Sequence, residues 1–178
     1  NKKDSIARRM NLPEKISAKD VEVCVLTFNR CALLKQALES LAGQTAAGLL
    51  VSVYDNASSD ATAEVVKAAK KSFGGNLKYV RHAKNIGADA NFHAALDGAS
   101  RKYTMFMHDD DIAHPNYLEY AIEAINKFGN VALLASDYTC VKLPPNSAVK
   151  FNRPQKKALV FNNQEEFAAY IFCDGKAS

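Results

Sequence analysis

Between Val21 and Phe128 the chain alternates between two hydrophobic patterns. The runs VEVCVL, LLVSVY, LKYV and YTMFM are short and almost wholly apolar, as strands buried on both faces are. Each is followed by a stretch in which apolar residues recur with a period of about 3.6, the mark of a helix with one buried side. The first such set is Leu34, Ala37, Leu38 and Leu41, and the second is Thr62, Val65, Val66, Ala69 and Phe73. Phe92, Ala95, Leu96 and Ala99 form the third, and Leu118, Ala121, Ile122, Ile125 and Phe128 the fourth. Punctuation agrees with this division. Gly43 and Gly129 follow helices, Pro115 stands near the start of the last one, and the second runs from Ser58, Ser59 and Asp60 to Lys67, Lys70 and Lys71, as its macrodipole favours. VALLA at 131–135 resumes as a further strand. Such alternation predicts an α/β fold: a mostly parallel twisted sheet with helices on both faces.

The rhythm breaks at 141–157, where Pro144, Pro145 and Pro154 predict a loop or edge excursion, before a strand at 158–161 and a helix at about 163–172. The expected organisation is a flexible basic lead over 1–20, an α/β domain over 21–138, and over 139–178 the start of an acceptor-side region, cut short. At 178 residues, 48% hydrophobic and 24% charged, the chain suits one soluble globular domain. Its net charge of +4 is carried mostly by the lead, where Lys2, Lys3, Arg8, Arg9, Lys15 and Lys19 face Asp4, Glu14 and Asp20. The body is therefore nearly neutral, which excludes a nucleic-acid-binding surface of the broad cationic kind. A basic arm can still touch an anionic membrane peripherally.

No apolar run approaches the ~18 residues of a membrane span. Cys24, Cys31, Cys140 and Cys173 form no CxxC pair, and nothing resembles a secretory signal, so free thiols in a reducing, cytoplasmic setting are expected, with any membrane contact peripheral at the inner face.

In a parallel sheet ligands bind beyond the carboxyl ends of the strands, and here each end delivers polar residues. The first gives Thr27, Phe28, Asn29 and Arg30, and the second Asp55, Asn56, Ser58 and Ser59. From the third come Arg81, His82, Lys84, Asn85 and Gly87, and from the fourth His108 with Asp109, Asp110 and Asp111. Three adjacent carboxylates repel one another, so a divalent cation, Mn²⁺ or Mg²⁺, with its phosphates is the expected reason to gather them. Arg30 and Lys84 add positive charge for a diphosphate, and Asp55 and Asn56 can pair with a base edge or ribose hydroxyls. There is no GxGxxG or Walker loop after the first strand, so dinucleotide and P-loop chemistry are excluded.

VCVLTFNR, SLAGQT, VYDNASSDAT, NIGADANF and FMHDDDIAHPNYLE together resemble the nucleotide-sugar half of family 2 glycosyltransferases. The resemblance implies a Rossmann-like sheet of the GT-A type and an enzyme that transfers a sugar from a nucleoside diphosphate donor to a saccharide, lipid-linked or other acceptor hydroxyl, with inversion, in polysaccharide or glycoconjugate synthesis. It implies that Asp55 and Asn56 meet the nucleobase and that Thr27, Asn29 and Arg30 line the same pocket. Lys84, Asn85, Gly87 and Asp109 join the nucleotide-sugar set, with Asp110 and Asp111 as the metal ligands of a DxD-type site. Two departures stand out: His108 occupies the first DxD position, and Ala90 stands where many members have arginine, a role then open to Lys84 or Asp89.

Plainer readings exist for several of these residues. Asp111 can cap a turn, Asn85 and Gly87 can simply make one, Phe28 and Phe92 are expected in the core, and His82, His93 and His114 receive no role. The general base is expected beyond Ser178, with Asp137 and Asp174 as weak candidates within the chain. An alternative function is a nucleotide-sugar-binding module without a complete active site; a nucleotidyltransferase ranks third because TFNRCALL is not a glycine-rich loop.

Overall fold

The structure is a computed structural model and describes residues 14–129 and residue 134. Four strands, β1 (Val21–Thr27), β2 (Leu50–Asp55), β3 (Leu77–Arg81) and β4 (Tyr103–His108), form one sheet in the order β3-β2-β1-β4 with every pairing parallel. Between and after them run α1 (Cys31–Ala42), α2 (Thr62–Ala69), α3 (Ala88–Gly98) and α4 (Tyr117–Phe128). The α/β reading of the sequence is borne out, with helices on both faces.

Alternation along the strands sorts the core into two unequal halves. Val21, Val23, Val25, Val51, Val53 and Met107 pack with Leu34, Leu38 and Leu41 of α1, Val66 of α2, and Leu118 and Ile125 of α4. The intervening positions of the other face, Cys24, Leu26, Tyr54 and Phe106, form a smaller cluster with Ala95 of α3. Burial pushes the Cys24 thiol up to about 12, so it behaves as an inert core residue. The α3 helix can come this close because residue 98 is glycine: a Cβ there would overlap the Tyr54 hydroxyl.

The third helix corrects the sequence reading. Phe92 is 37% and Leu96 48% exposed, while Asn91 is buried beside Ala95. The Asn91 amide donates to the Tyr54 carbonyl (3.1 Å) and pairs with His82 Nε2 (2.9 Å), so a polar clamp, not the apolar stripe, sets the rotation of α3. Phe92 instead lies against Phe106, ring centroids 4.3 Å apart. Phe28, also expected in the core, is 41% exposed at the end of β1. The strand at 131–135 apart from residue 134, the strand at 158–161, the helix at 163–172, the proline-rich loop and most of the basic lead lie outside the described residues.

Glu22 is a buried carboxylate on the thinner face. Its oxygens accept from Ser52 Oγ (2.6 Å), the Ser100 amide (2.7 Å) and Ser100 Oγ (2.9 Å), tying β1 to β2 and to the loop behind α3. Burial alone would raise its pKa, but the hydrogen bonds from Ser52 and Ser100, with the charge of Lys78, outweigh it and hold the carboxyl below its ordinary 4.5. A depressed folded-state pKa contributes stability that is present above the unfolded value and lost as pH falls through the folded one. Thermal melts between about pH 6 and pH 3 should show a loss of stability that Glu22→Gln flattens, with the variant weaker by about 1–3 kcal/mol at neutral pH. Parallel pH profiles for the two proteins would remove Glu22 from this role.

Candidate functional site

Parallel pairing places the carboxyl ends of β1, β2 and β4 side by side, so the loops that follow them meet at one edge of the sheet. At the junction of β1 and β4 the Thr27 hydroxyl donates to Asp109 Oδ2 at 2.7 Å. Arg30 Nη1 lies 3.1 Å from Asp109 Oδ1 and 3.1 Å from Asp110 Oδ2. Asp109 is buried, whereas Arg30 and Asp110 are half exposed. The Asp111 carboxylate, expected from the sequence to be a metal ligand with Asp110, turns back on its own strand and accepts from the His108 amide (3.1 Å), whereas it is Asp109 that meets Asp110 at Arg30. The segment beyond the aspartates is pinned to the end of α1: Ser40 Oγ accepts from the Ala113 amide, Gln44 donates to the His114 carbonyl and accepts from the Leu118 amide, and the Thr45 amide donates to the Pro115 carbonyl.

The β1–α1 and β2–α2 loops are joined to each other. The Asn29 amide donates to Ser58 Oγ (2.9 Å), the Ser59 amide to Asn29 Oδ1 (2.7 Å), and the Cys31 amide to Asp60 Oδ2 (2.8 Å). Asp60 thus satisfies the first amide of α1 as well as the start of α2, where Thr62 donates to its other oxygen (2.6 Å). Burial would raise its pKa, but the hydrogen bonds from Thr62 and Cys31 outweigh it and hold the carboxyl below its ordinary value. Among the described residues Asn29 (φ 54°) and Ala57 (φ 64°), one in each loop, are the non-glycine residues in the left-handed region.

Asp55 is fully buried and already engaged. Oδ1 accepts from the Ser58 amide (2.8 Å), Oδ2 from the Tyr79 hydroxyl (2.6 Å), and Arg81 Nε lies 3.5 Å from Oδ2 while its Nη2 donates to the Ser58 carbonyl (2.6 Å). Burial raises the Tyr79 pKa, as does its bond to Asp55, so this hydroxyl stays a donor. Asn56 clamps the next loop, donating to Asn85 Oδ1 (2.9 Å) and accepting from the Ile86 amide (2.8 Å), and Asn85 Oδ1 also accepts from the Gly87 amide (2.9 Å). Gly87, at φ 88°, lets the chain enter α3. Lys84 stands exposed on this loop and Asp89 exposed in the first turn of α3.

Thr27, Asn29, Arg30, Asp109 and Asp110 therefore come together, as do Asp55 and Asn56 with Asn85 and Gly87. Asp137 and Asp174 lie outside the described residues. Sequence reasoning missed Tyr79, which looked like a strand-core residue, and gave Arg81 and Asp60 no site role although both stood in the polar segments at strand ends.

Among the described residues no group of three or more His, Cys, Asp or Glu side chains is arranged to hold a metal ion. Asp109 Oδ1 and Asp110 Oδ2 nevertheless converge on one cation, the Arg30 guanidinium. These are hard oxygen donors, and two carboxylates leave the remaining positions of a Mg²⁺ or Mn²⁺ shell to water and phosphate. The donor set fits an ion that arrives with a diphosphate.

Residues 22–174 match the family described as Glycosyl transferase family 2. The chain belongs to that family. It is 25% identical over 155 residues to abequosyltransferase RfbV of Salmonella typhimurium, covering 85% of this chain and 46% of the relative. To the GalNAc(5)-diNAcBac-PP-undecaprenol beta-1,3-glucosyltransferase of Campylobacter jejuni it is 31% identical over 115 residues, 62% of this chain and 37% of the relative. The chain thus spans less than half the length of these curated relatives. Among solved structures, S. aureus TarS 1-349 in complex with UDP-GlcNAc aligns with a TM-score of 0.57 at 27% identity, over 61% of this chain and 31% of that one. Mannosyltransferase PcManGT from Pyrobaculum calidifontis in complex with GDP-Man and Mn2+ aligns at 0.54 and 22% identity, over 71% and 39%, which bears on the fold alone. The GT-A assignment from the sequence is borne out.

A glycine could take the left-handed conformation of residue 57 freely, and Ala57 bears that strain with a Cβ. Ala57→Gly should raise stability by up to about 1 kcal/mol, net of the extra freedom of the unfolded chain. A clear loss in the melting temperature would show that the alanine methyl has packing worth more than the strain.

Proposed function

We propose that this chain carries the donor-binding part of a glycosyltransferase that uses a divalent metal and moves a sugar from a nucleoside diphosphate to an acceptor hydroxyl, with inversion. The observation that carries it is the meeting of Asp109, Asp110, Arg30 and Thr27 at the carboxyl edge of the sheet, in a chain of this family. UDP-GlcNAc in a TarS complex supports a nucleotide-sugar donor, and the two carboxylates of Asp109 and Asp110 meeting at one cation support a divalent ion. The lipid-linked substrate in the Campylobacter relative's name supports an acceptor of the saccharide or lipid-linked kind, with the enzyme working peripherally at the inner face of a membrane. Among the described residues no helix is long and apolar enough to cross one.

In this reading the diphosphate end lies at Asp109 and Asp110, which would hold Mn²⁺ or Mg²⁺. When bound, the ion neutralises charge that develops on the departing diphosphate. Thr27 fixes the rotamer of Asp109, and Asp111 shapes the turn that presents Asp110. The nucleoside end lies at the joined loops. Asn29 and Asn56 hold them, Asp55 sets the β2–α2 turn from behind through Tyr79 and Arg81, and Phe28 offers an exposed ring face for a base. Lys84, Asn85 and Gly87 close this side. Deprotonation of the acceptor is assigned to a carboxylate outside the described residues, with Asp137 and Asp174 as the candidates.

Asp110→Asn tests this arrangement. The wild-type chain should be stabilised in thermal-shift assays by a nucleoside diphosphate with Mn²⁺, and the variant should lose that metal-dependent gain, weakening binding by at least about tenfold (~1.4 kcal/mol), while melting within about 1 kcal/mol of wild type. Metal-dependent binding that survives in Asp110→Asn would remove Asp110 from the metal shell. No stabilisation by any nucleoside diphosphate would contradict the donor-site reading itself.

A further inference from the structure

One guanidinium nitrogen of Arg30 stands 3.1 Å from carboxylate oxygens of two different residues, Asp109 and Asp110, which follow the neighbouring strand β4. Those two oxygens are the ones a divalent ion would need. A guanidinium and a metal ion cannot both sit where they converge, because two cations a few ångströms apart repel and each oxygen offers few lone pairs. We infer that Arg30 is an exchangeable internal cation: it fills the metal position between Asp109 and Asp110, and it hands those oxygens to the ion when it moves onto the donor's diphosphate. This rests on the donor-site reading above and assigns Arg30 a positioning role within it.

The energetics favour exchange over a permanent bridge. Buried Asp109 needs a positive partner, since an isolated buried carboxylate is costly. The Arg30 and Asp110 side chains are 52% and 51% exposed, and an ion pair between exposed groups is worth little. One half of the contact therefore demands a cation, and neither half demands that the cation be arginine. Thr27 keeps its hydrogen bond to the other oxygen of Asp109, so that carboxylate stays oriented through the swap.

The backbone confines the movement to the side chain. Asn29 is fixed on both sides by Ser58 and Ser59, and the Cys31 amide is held by Asp60, so residue 30 is pinned between two anchored neighbours. A long side chain on a fixed Cα sweeps a short arc in front of the aspartates. In that arc a metal-bound diphosphate offers several anionic oxygens to a fork that matches them bidentately. A consequence is ordering: metal alone must displace Arg30 without compensation, whereas metal with nucleotide supplies Arg30 with a new partner. Free metal should bind weakly, and metal and nucleoside diphosphate should bind cooperatively.

Calorimetry on the full 178-residue chain tests this with Mn²⁺ alone, a nucleoside diphosphate alone, and both together. Arg30→Gln is expected to bind Mn²⁺ alone roughly fivefold or more tighter than wild type, because the competing cation is gone. The same variant should lose most of the factor by which Mn²⁺ improves nucleoside diphosphate binding, and Arg30→Lys, charged but unable to fork, should fall between the two. In the wild type, the Arg30 Nε–H resonance should shift when Mg²⁺ and a nucleoside diphosphate are added together and stay put with a nucleoside, a measurement that needs no variant. If wild type binds Mn²⁺ with the diphosphate but Arg30→Gln shows equal or weaker affinity for Mn²⁺ alone, or if the Arg30 resonance does not move, the exchange is wrong while the donor site stands. If neither protein binds Mn²⁺ under any condition, the metal reading falls and the exchange falls with it.

Discussion

The buried carboxylate of Asp109 is the group on which the rest of this site depends. It is 3% exposed at the end of β4, and burying an ionised group is tolerable only when its oxygens are met. Both partners, Thr27 and Arg30, come from the end of β1. That requirement joins β1 and β4 at their carboxyl ends and gives the loop after β1 a fixed starting point. The loop after β2 is then fastened to it through Asn29, Ser58, Ser59 and Asp60, and the loop after β3 to that one through Asn56 and Asn85. The carboxyl edge is held by a chain of polar contacts running across the sheet from one anchored charge.

The same chain explains why strain collects here. Two neighbouring loops each hold a non-glycine residue at positive φ, Asn29 and Ala57, and such conformations persist only where surrounding bonds overdetermine them. Below this edge, by contrast, the sheet is secured by ordinary burial on the face of α1, α2 and α4. On the α3 face a thinner apolar contact is supplemented by Glu22 with its serines and by Asn91.

The strands and the helices α1, α2 and α4 were legible in the sequence because most of their apolar positions keep a regular period and are buried between sheet and helices, Phe128 at the end of α4 being an exception at 43% exposed. The α3 helix was not, since Phe92, Ala95 and Leu96 have helical spacing but the amide of Asn91 decides which side faces the sheet. Hydrogen bonds to specific carbonyls leave no periodic trace. At the site, residue types at strand ends identified Thr27, Arg30, Asp55, Asn56, Asp109 and Asp110 as neighbours. Their orientations were out of reach: that Arg30 turns onto the aspartates, and that Asp55 is closed off by Tyr79 and Arg81, depends on side-chain directions that only the folded chain sets.

The central claim is that the carboxyl edge of the sheet, organised by Asp109, receives a nucleoside diphosphate with a divalent ion. Backbone amide shifts of the isotopically labelled chain, followed as Mg²⁺ and a nucleoside diphosphate are added, test it residue by residue. The expected changes fall on Thr27 to Cys31, Asp55 to Thr62, Arg81 to Gly87 and His108 to Asp111, with little at the opposite ends of the strands around Glu22 and Leu50. Shifts centred on that opposite end, or spread evenly over the domain, would contradict the claim.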